Sequence, residues 1–352
     1  MNTHSHFNCD SCGGELAFQP NIQELECPYC GKTQKIPAQN KEIQEHSFED
    51  ALREKNMVSL ADLSTQEIEC KNCGAQILTA KAAQRCPFCD SPVVLHEQSP
   101  NLIRPESILP FQIDGQKAKD MFQNWLKSRW FAPNDLVARA KKDGLDGIYV
   151  PYWTYDSDTQ SQYSGERGDH YYEEETYQDA SGEEQTRSVQ KTDWTLVSGN
   201  IQENFDDVLI CASKALPQKL FDGLKTWQLT DLKPFDPGFL SGFLAQRYAI
   251  DLKEGFSLAK KKMDHVIRQK ICYDIGGDEQ RISHVDTQFF QVTYKHILLP
   301  LWISSFRYNN KVYRFIVNAQ TGEVTGERPF SMIKIVLLIL FIVAVIVTLI
   351  NM

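Results

Sequence analysis

A chain of 352 residues, 42% hydrophobic and 24% charged, is long enough to bury a real core. Its formal net charge of −9 disfavours a surface built to track nucleic-acid phosphates. Eight of its ten cysteines fall into Cys-x-x-Cys pairs with no secretory leader ahead of them, which disfavours a disulfide framework and a redox pair.

Residues 1–40 carry the first set, Cys9 and Cys12 with Cys27 and Cys30. Two residues between cysteines let one tight turn aim both sulfurs at a single ion, and Zn²⁺ prefers four soft thiolates in a tetrahedron. The second knuckle, Cys27-Pro28-Tyr29-Cys30-Gly31, uses proline and glycine as turn residues. Lys32 and Lys35 face Asp10, Glu15, Glu24 and Glu26, so this ribbon offers no basic patch. Gly31-Lys32-Thr33 mimics the end of a phosphate loop, but Glu26 stands where the first glycine of that motif belongs.

Residues 41–69 are acidic, and Ser47-Phe48-Glu49-Asp50 reads as a helix start capped by serine, which predicts a partly helical linker. Residues 70–98 repeat the metal pattern with Cys70, Cys73, Cys86 and Cys89, again with a Pro-aromatic knuckle, Cys86-Pro87-Phe88-Cys89-Asp90. Each set predicts a zinc ribbon holding one structural Zn²⁺. A segment this small cannot bury enough apolar surface to fold alone, so the metal supplies folding free energy. Four protein ligands close the coordination shell, which excludes catalysis at the metal. Tyr29 and Phe88, on metal-rigidified turns, either anchor a protein partner or pack within their own ribbons.

Ser99-Pro100 and Arg104-Pro105 place a boundary near residue 100, and residues 99–330 form an α+β body, mainly antiparallel sheet with helices. Ala118, Met121, Phe122, Trp125, Leu126 and Trp130 recur at helical spacing, as do Leu252, Phe256, Ala259, Met263 and Ile267. The Lys260-Lys261-Lys262 run reads as the solvated face of the second helix. Between the helices, residues 156–193 hold eleven carboxylates against Arg167, Arg187 and Lys191, interspersed with four tyrosines, which predicts a solvated acidic lobe or projecting hairpin. His170 and these acids have no fixed cation-ligand spacing. Period-two alternation then predicts three strands, at Phe290–Tyr294, Trp302–Tyr308 and Tyr313–Val317, with turns at Asn309-Asn310 and Thr321-Gly322.

A faint repeat pairs Leu109-Pro110-Phe111 with Lys233-Pro234-Phe235, and Val150-Pro151-Tyr152-Trp153 with Leu299-Pro300-Leu301-Trp302. The order matches and the spacing does not, so duplication with insertion and chance resemblance both stand. No catalytic signature appears: H-E-x-x-H and G-x-S-x-G are absent, and Cys211 and Cys272 read as buried apolar residues. The sequence therefore points away from an enzyme.

Residues 331–352 are a candidate membrane anchor, with Met332 to Ile350 running about 28 Å as a helix, enough to cross a hydrocarbon core. Arg328 and Lys334 on its flank predict that the N-terminal bulk stays in the cytoplasm, at the cytoplasmic or inner cell membrane.

The two four-cysteine sets, the stretches Gly147 to Trp153 and Leu299 to Trp302, the Val317 to Gly322 turn and the terminal anchor together resemble a family. It comprises bacterial tail-anchored zinc-ribbon membrane proteins, labelled transcription-factor-IIB-type or primosomal-protein-N′-like from their ribbons. Some relatives are similar to the membrane partner of an SPFH-domain scaffold and a phage-shock-protein-A-like remodelling protein. The resemblance implies a scaffold or adaptor in a membrane-stress complex that recruits such protein partners. The alternative is a membrane-tethered nucleic-acid-binding protein, against which the charge argues.

Overall fold

The computed structural model describes residues 7–37, 42–53, 58–59, 66–70, 72–79, 85–89, 91, 94–96, 101–136, 144–178, 180, 182–309 and 311–350. Asp90, Ser99-Pro100 and Asn310, with one of the eleven carboxylates, Asp179, lie outside them.

The first cysteine unit is a three-stranded sheet, β1 (Ala17–Gln19), β2 (Glu24–Glu26) and β3 (Thr33–Gln34). After it come β4 (His46–Ser47), α1 (Phe48–Arg53), β5 (Val58–Ser59), β6 (Gln66–Glu69), β7 (Gln76–Thr79), β8 (Val94–His96) and β9 (Asn101–Leu102). The remainder runs β10 (Ser107–Ile108), α2 (Gly115–Lys127), β11 (Asp146–Gln178), β12 (Glu184–Cys211), α3 (Gln218–Asp222), β13 (Lys233–Pro234), β14 (Leu244–Gln246), α4 (Leu252–Ile275), β15 (Glu279–Tyr308), β16 (Lys311–Asn318), β17 (Val324–Gly326) and α5 (Met332–Ile350). Twelve of the described strands form one sheet whose central path is β13-β10-β15-β11-β14-β7-β6-β8. All its pairings are antiparallel except β10 with β15 and β11 with β14. The strands β6 to β8 around the second cysteine set are thus continuous with the body through β7 and β14.

The middle of that path, β10-β15-β11-β14, is palindromic, because the body is built twice. β10-α2-β11-β12 and β14-α4-β15-β16 have the same order, and the long central strands β11 and β15 pair antiparallel with Val150 opposite Leu299. The equivalences hold down to single hydrogen bonds. The Ala212 amide donates to Pro151 and the Ala212 carbonyl accepts from Ala249 and Ile250, while the Ala319 amide donates to Pro300 and the Ala319 carbonyl accepts from Gln112 and Ile113. The Trp153 indole donates to the Ile250 carbonyl at 2.9 Å, and Trp302 donates to the Ile113 carbonyl at 2.7 Å. The bonds to the Ala212 and Ala319 carbonyls and the two indole bonds cross from one half to the other, while those from the Ala212 and Ala319 amides close each half on itself. Asp114 and Asp251 cap the two helices by accepting from the amides of Lys117 and Glu254.

The helices are exchanged as well. Ala118, Phe122 and Leu126 of α2 pack on Trp302, Phe306 and Phe315 of the second half, with Phe122 stacked on Phe315. Phe256, Ala259, Met263 and Ile267 of α4 pack on Trp153, Tyr155 and Ile210 of the first. Gly255 lets α4 approach closely: a Cβ there would lie 2.4 Å from the Tyr155 hydroxyl. The opposite face of the sheet buries Ile148, Val150, Leu299 and Leu301 with Leu220 and Phe221 of α3 and the second cysteine set.

Three expectations need correction. The strands expected at Phe290–Tyr294 and Trp302–Tyr308 are one strand, β15, because Pro300 faces Tyr149 within the β11 ladder and interrupts nothing. Trp130 does not share the helical face: α2 ends at Lys127, where Ser128 folds back on Asn124 and Leu126, and Trp130 is 76% exposed. Leu109-Pro110-Phe111 is not equivalent to Lys233-Pro234-Phe235; these segments instead adjoin, with β10 paired to β13. The acidic stretch is a hairpin whose strands run beyond the Gly168–Glu279 pair with no third strand beside them among the described residues. Lys191 bridges Glu173 and Glu175 across it, and Arg187 bridges Glu175.

Candidate metal centres

Each cysteine set is assembled by short turns of one design. Gly13 and Gly31 donate backbone hydrogen bonds to the carbonyls of Cys9 and Cys27, as Gly74 does to Cys70. All three glycines have φ near +72°, a conformation in which a side chain would be strained. The chain then turns back, so that Cys9, Cys27, Cys70 and Cys86 donate their amides to Gly14, Lys32, Ala75 and Ser91. The result is two clusters, Cys9, Cys12, Cys27 and Cys30, and Cys70, Cys73, Cys86 and Cys89, whose sulfurs lie within 4.8 Å of one another. All eight predicted ligands are brought together in the two predicted sets of four.

The donor set fits a soft divalent ion. A tetrahedron with metal–sulfur bonds of about 2.3 Å separates its sulfurs by about 3.8 Å, and the Sγ pairs Cys9–Cys30, Cys12–Cys27, Cys70–Cys89 and Cys73–Cys86 lie at 3.5, 3.4, 3.5 and 3.6 Å. In each of these pairs one sulfur is drawn toward thiolate, at Cys9, Cys27, Cys73 and Cys89, and its partner toward thiol, at Cys30, Cys12, Cys86 and Cys70. Burial pushes the Cys27 thiol up, but hydrogen bonds from the Cys30 and Tyr29 amides and from neighbouring thiols outweigh it and bring the pKa down to about 7. In the second cluster the hydrogen bond from Cys86, against the opposing effect of burial, brings Cys73 down to about 5 and by the same contact pushes Cys86 up. Each cluster could hold a metal with four protein ligands and no open position.

The clusters differ in setting. The first is half open, with Cys12 and Cys30 exposed, and its hairpin is fastened to the body where the Phe18 amide donates to Ser241 and the Gln23 amide group donates to Phe111. The second is enclosed, with Cys70, Cys86 and Cys89 buried and Arg314 Nε donating to the Phe88 carbonyl at 2.9 Å. That enclosure overturns the reading of Phe88 as a docking anchor, since its ring is 0% exposed and packed in the body core. Tyr29 is 79% exposed, and its ring lies across Gly14, where a Cβ would come within 2.5 Å of it.

The remaining candidates have structural roles. Both ring nitrogens of His170 are engaged, by Glu279 and by Gln190. Cys211 is buried beside Tyr152, and burial lifts its thiol to about 12. Cys272 is half-buried on α4. A group unseen in the sequence, Glu45, Asp156 and Asp206, gathers three carboxylates from distant segments. Lys295 sits beside it, 3.0 Å from Glu45 and 2.9 Å from Asp207, and supplies the positive charge.

α5 is long and apolar enough to cross a membrane, and none of Met332–Leu349 is buried in the body. No family model matches the chain, and no solved structure matches it. The chain is similar to the uncharacterized protein YdjG of Bacillus subtilis (strain 168), 27% identical over 333 residues, which covers 94% of this chain and 91% of that protein.

Proposed function

We propose that the chain is a membrane-anchored adaptor. In this reading α5 holds the body at the cytoplasmic face of a membrane, two structural Zn²⁺ ions close the ribbons, and the first ribbon with the acidic hairpin recruits protein partners. The observation that carries it is the pairing, in one chain, of two closed four-thiol clusters with a span-length apolar helix that the body leaves uncovered. Closed thiolate shells suit recognition surfaces rather than chemistry at the metal. Tyr29, fixed over Gly14 yet exposed, loses little conformational entropy on docking. The resemblance to bacterial zinc-ribbon membrane proteins names the partner class: an SPFH-domain scaffold and a phage-shock-protein-A-like remodelling protein, in a membrane-stress response.

Crosslinking and pull-down from intact membranes tests this. Wild type should recover protein partners. Tyr29→Ala should weaken recovery while zinc content stays at two. Recovery of nucleic acid in place of proteins would sink the adaptor reading. Deleting the ribbons is a poor control, because β7 completes the sheet beside β14.

A further inference from the structure

The start of α5 does not leave the body freely. Ser331 donates its amide to the Phe131 carbonyl at 2.8 Å, and Lys334 Nζ donates to the carbonyls of Trp130 and Ala132 at 3.0 and 2.8 Å. These bonds clamp the loop after α2 against the first turn of the apolar helix. The clamp joins two segments that each carry a guanidinium, Arg129 one residue before Trp130 and Arg328 three residues before Ser331. Burial lowers the pKa of Arg328, and the neighbouring Arg129 charge lowers it further. Among the described residues neither has a carboxylate partner: Arg129 lies over the Trp125 ring at 4.9 Å, its Nε buried without a hydrogen-bond partner, and Arg328 lies over Phe330 at 5.2 Å. Like charges are costly side by side unless something anionic joins them. Exposed Trp130 and Phe330 flank the pair at the mouth of the helix.

We propose that Arg129 and Arg328, with Lys334 and the N-terminus of α5, form a site for the phosphate of an anionic lipid headgroup, and that Trp130 sits in the membrane interface beside it. The chemistry is complementary at each point. Guanidinium forks fit phosphate oxygens, the N-terminus of a 19-residue helix adds partial positive charge, and indole rings settle at headgroup depth. The lipid is favoured over a free anion because the site is continuous with the span. The proposal rests on α5 crossing a bilayer.

The test uses the full chain in nanodiscs of phosphatidylcholine doped with about 30 mol % of acyl-brominated phosphatidylglycerol, or with the same amount of acyl-brominated phosphatidylcholine, reading tryptophan quenching. Wild type should be quenched more strongly by the anionic lipid. Arg129→Gln/Arg328→Gln should erase that preference, about five-fold per lost cation, while neutral-lipid quenching persists. Trp130→Phe should remove most of the quenching in both discs. Equal quenching of wild type by the two lipids overturns the headgroup site while leaving the span intact. Loss of the preference on adding inorganic phosphate at constant ionic strength marks a free-anion site and overturns the lipid assignment. Failure of the protein to co-elute with discs removes the span and the site together.

Discussion

A thiol in a cluster of four has two ways to satisfy its lone pairs, and the spacing here decides between them. Without metal, sulfurs 3.4–3.6 Å apart share protons in pairs; with it, all four become thiolates around one ion. Metal analysis of reduced, zinc-replete protein should therefore give two ions per chain, and Cys27→Ser or Cys86→Ser should each lose one. Cys86→Ser should also destabilise the body, because its cluster shares a core with Ile297, Leu299 and Leu301. Phe88→Ala removes a ring from that core and should cost about 3–5 kcal/mol in chemical denaturation, whereas Tyr29→Ala should leave stability within about 0.5 kcal/mol. His296 is a second residue whose setting dictates behaviour. It is buried against Trp153, its Nδ1 within 2.9 Å of the Ile103 carbonyl, and burial lowers its pKa from 6.5 to about 4. The unfolded chain thus takes up this proton first. The neutral imidazole's contribution is complete above pH 6.5 and is lost as pH falls towards 4, reaching about 3 kcal/mol. Replacing His296 with Phe should flatten the stability profile over that window relative to wild type.

At the level of elements, the two halves make a prediction that neither makes alone. Trp153 and Trp302 occupy equivalent places and each donates to a carbonyl just before the opposite half's helix cap. Trp153→Phe and Trp302→Phe should each cost about 1–3 kcal/mol, the range for leaving a buried carbonyl unpaired, and unfolding should stay a single transition monitored at either helix. Much of this level is legible from residue order: the cysteine spacing locates both clusters, and the apolar stripes locate α2 and α4. Val150 to Trp153 and Leu299 to Trp302 are recognisable as a pair. What hides the rest of the repeat is insertion. α4 has 24 residues against 13 in α2, and the first hairpin is far longer than the second, so equal steps in structure are unequal steps in sequence. Proline misleads too. In an isolated strand Pro300 reads as a break, but here its carbonyl accepts from Ala319 and its ring sits where the ladder needs no donor. The burial of Phe88 and the Lys295 ion-pair group arise from segments distant in sequence, which no local pattern encodes.

For the molecule as a whole, α5 is a long apolar element that the body leaves bare, attached through hydrogen bonds at Ser331 and Lys334. Truncation after Pro329 should move the protein from the membrane pellet to the soluble fraction with its near-ultraviolet circular dichroism and zinc content kept, and its far-ultraviolet helical signal lowered only by the 19 residues of α5. Carbonate-resistant pelleting of the truncated chain would show that another surface, such as the Lys260 to Lys262 face, holds lipid.

The exchange of helices between halves also sets an order in time. Synthesis runs from the N-terminus, so α2 and the long β11–β12 hairpin leave the ribosome well before β15 and β16 exist. Until then Phe122 has no Phe315 to stack on, the Trp153 indole waits for the Ile250 carbonyl, and the apolar face of β11 awaits α4. A nascent chain halted near residue 240 should be a protease-sensitive intermediate with its longest strands made and unprotected. The acidic, ion-paired tip of that hairpin should then keep the waiting strands soluble and apart from those on neighbouring ribosomes of the same message, so replacing Glu173, Glu174 and Glu175 with Gln should increase aggregation of the halted chain.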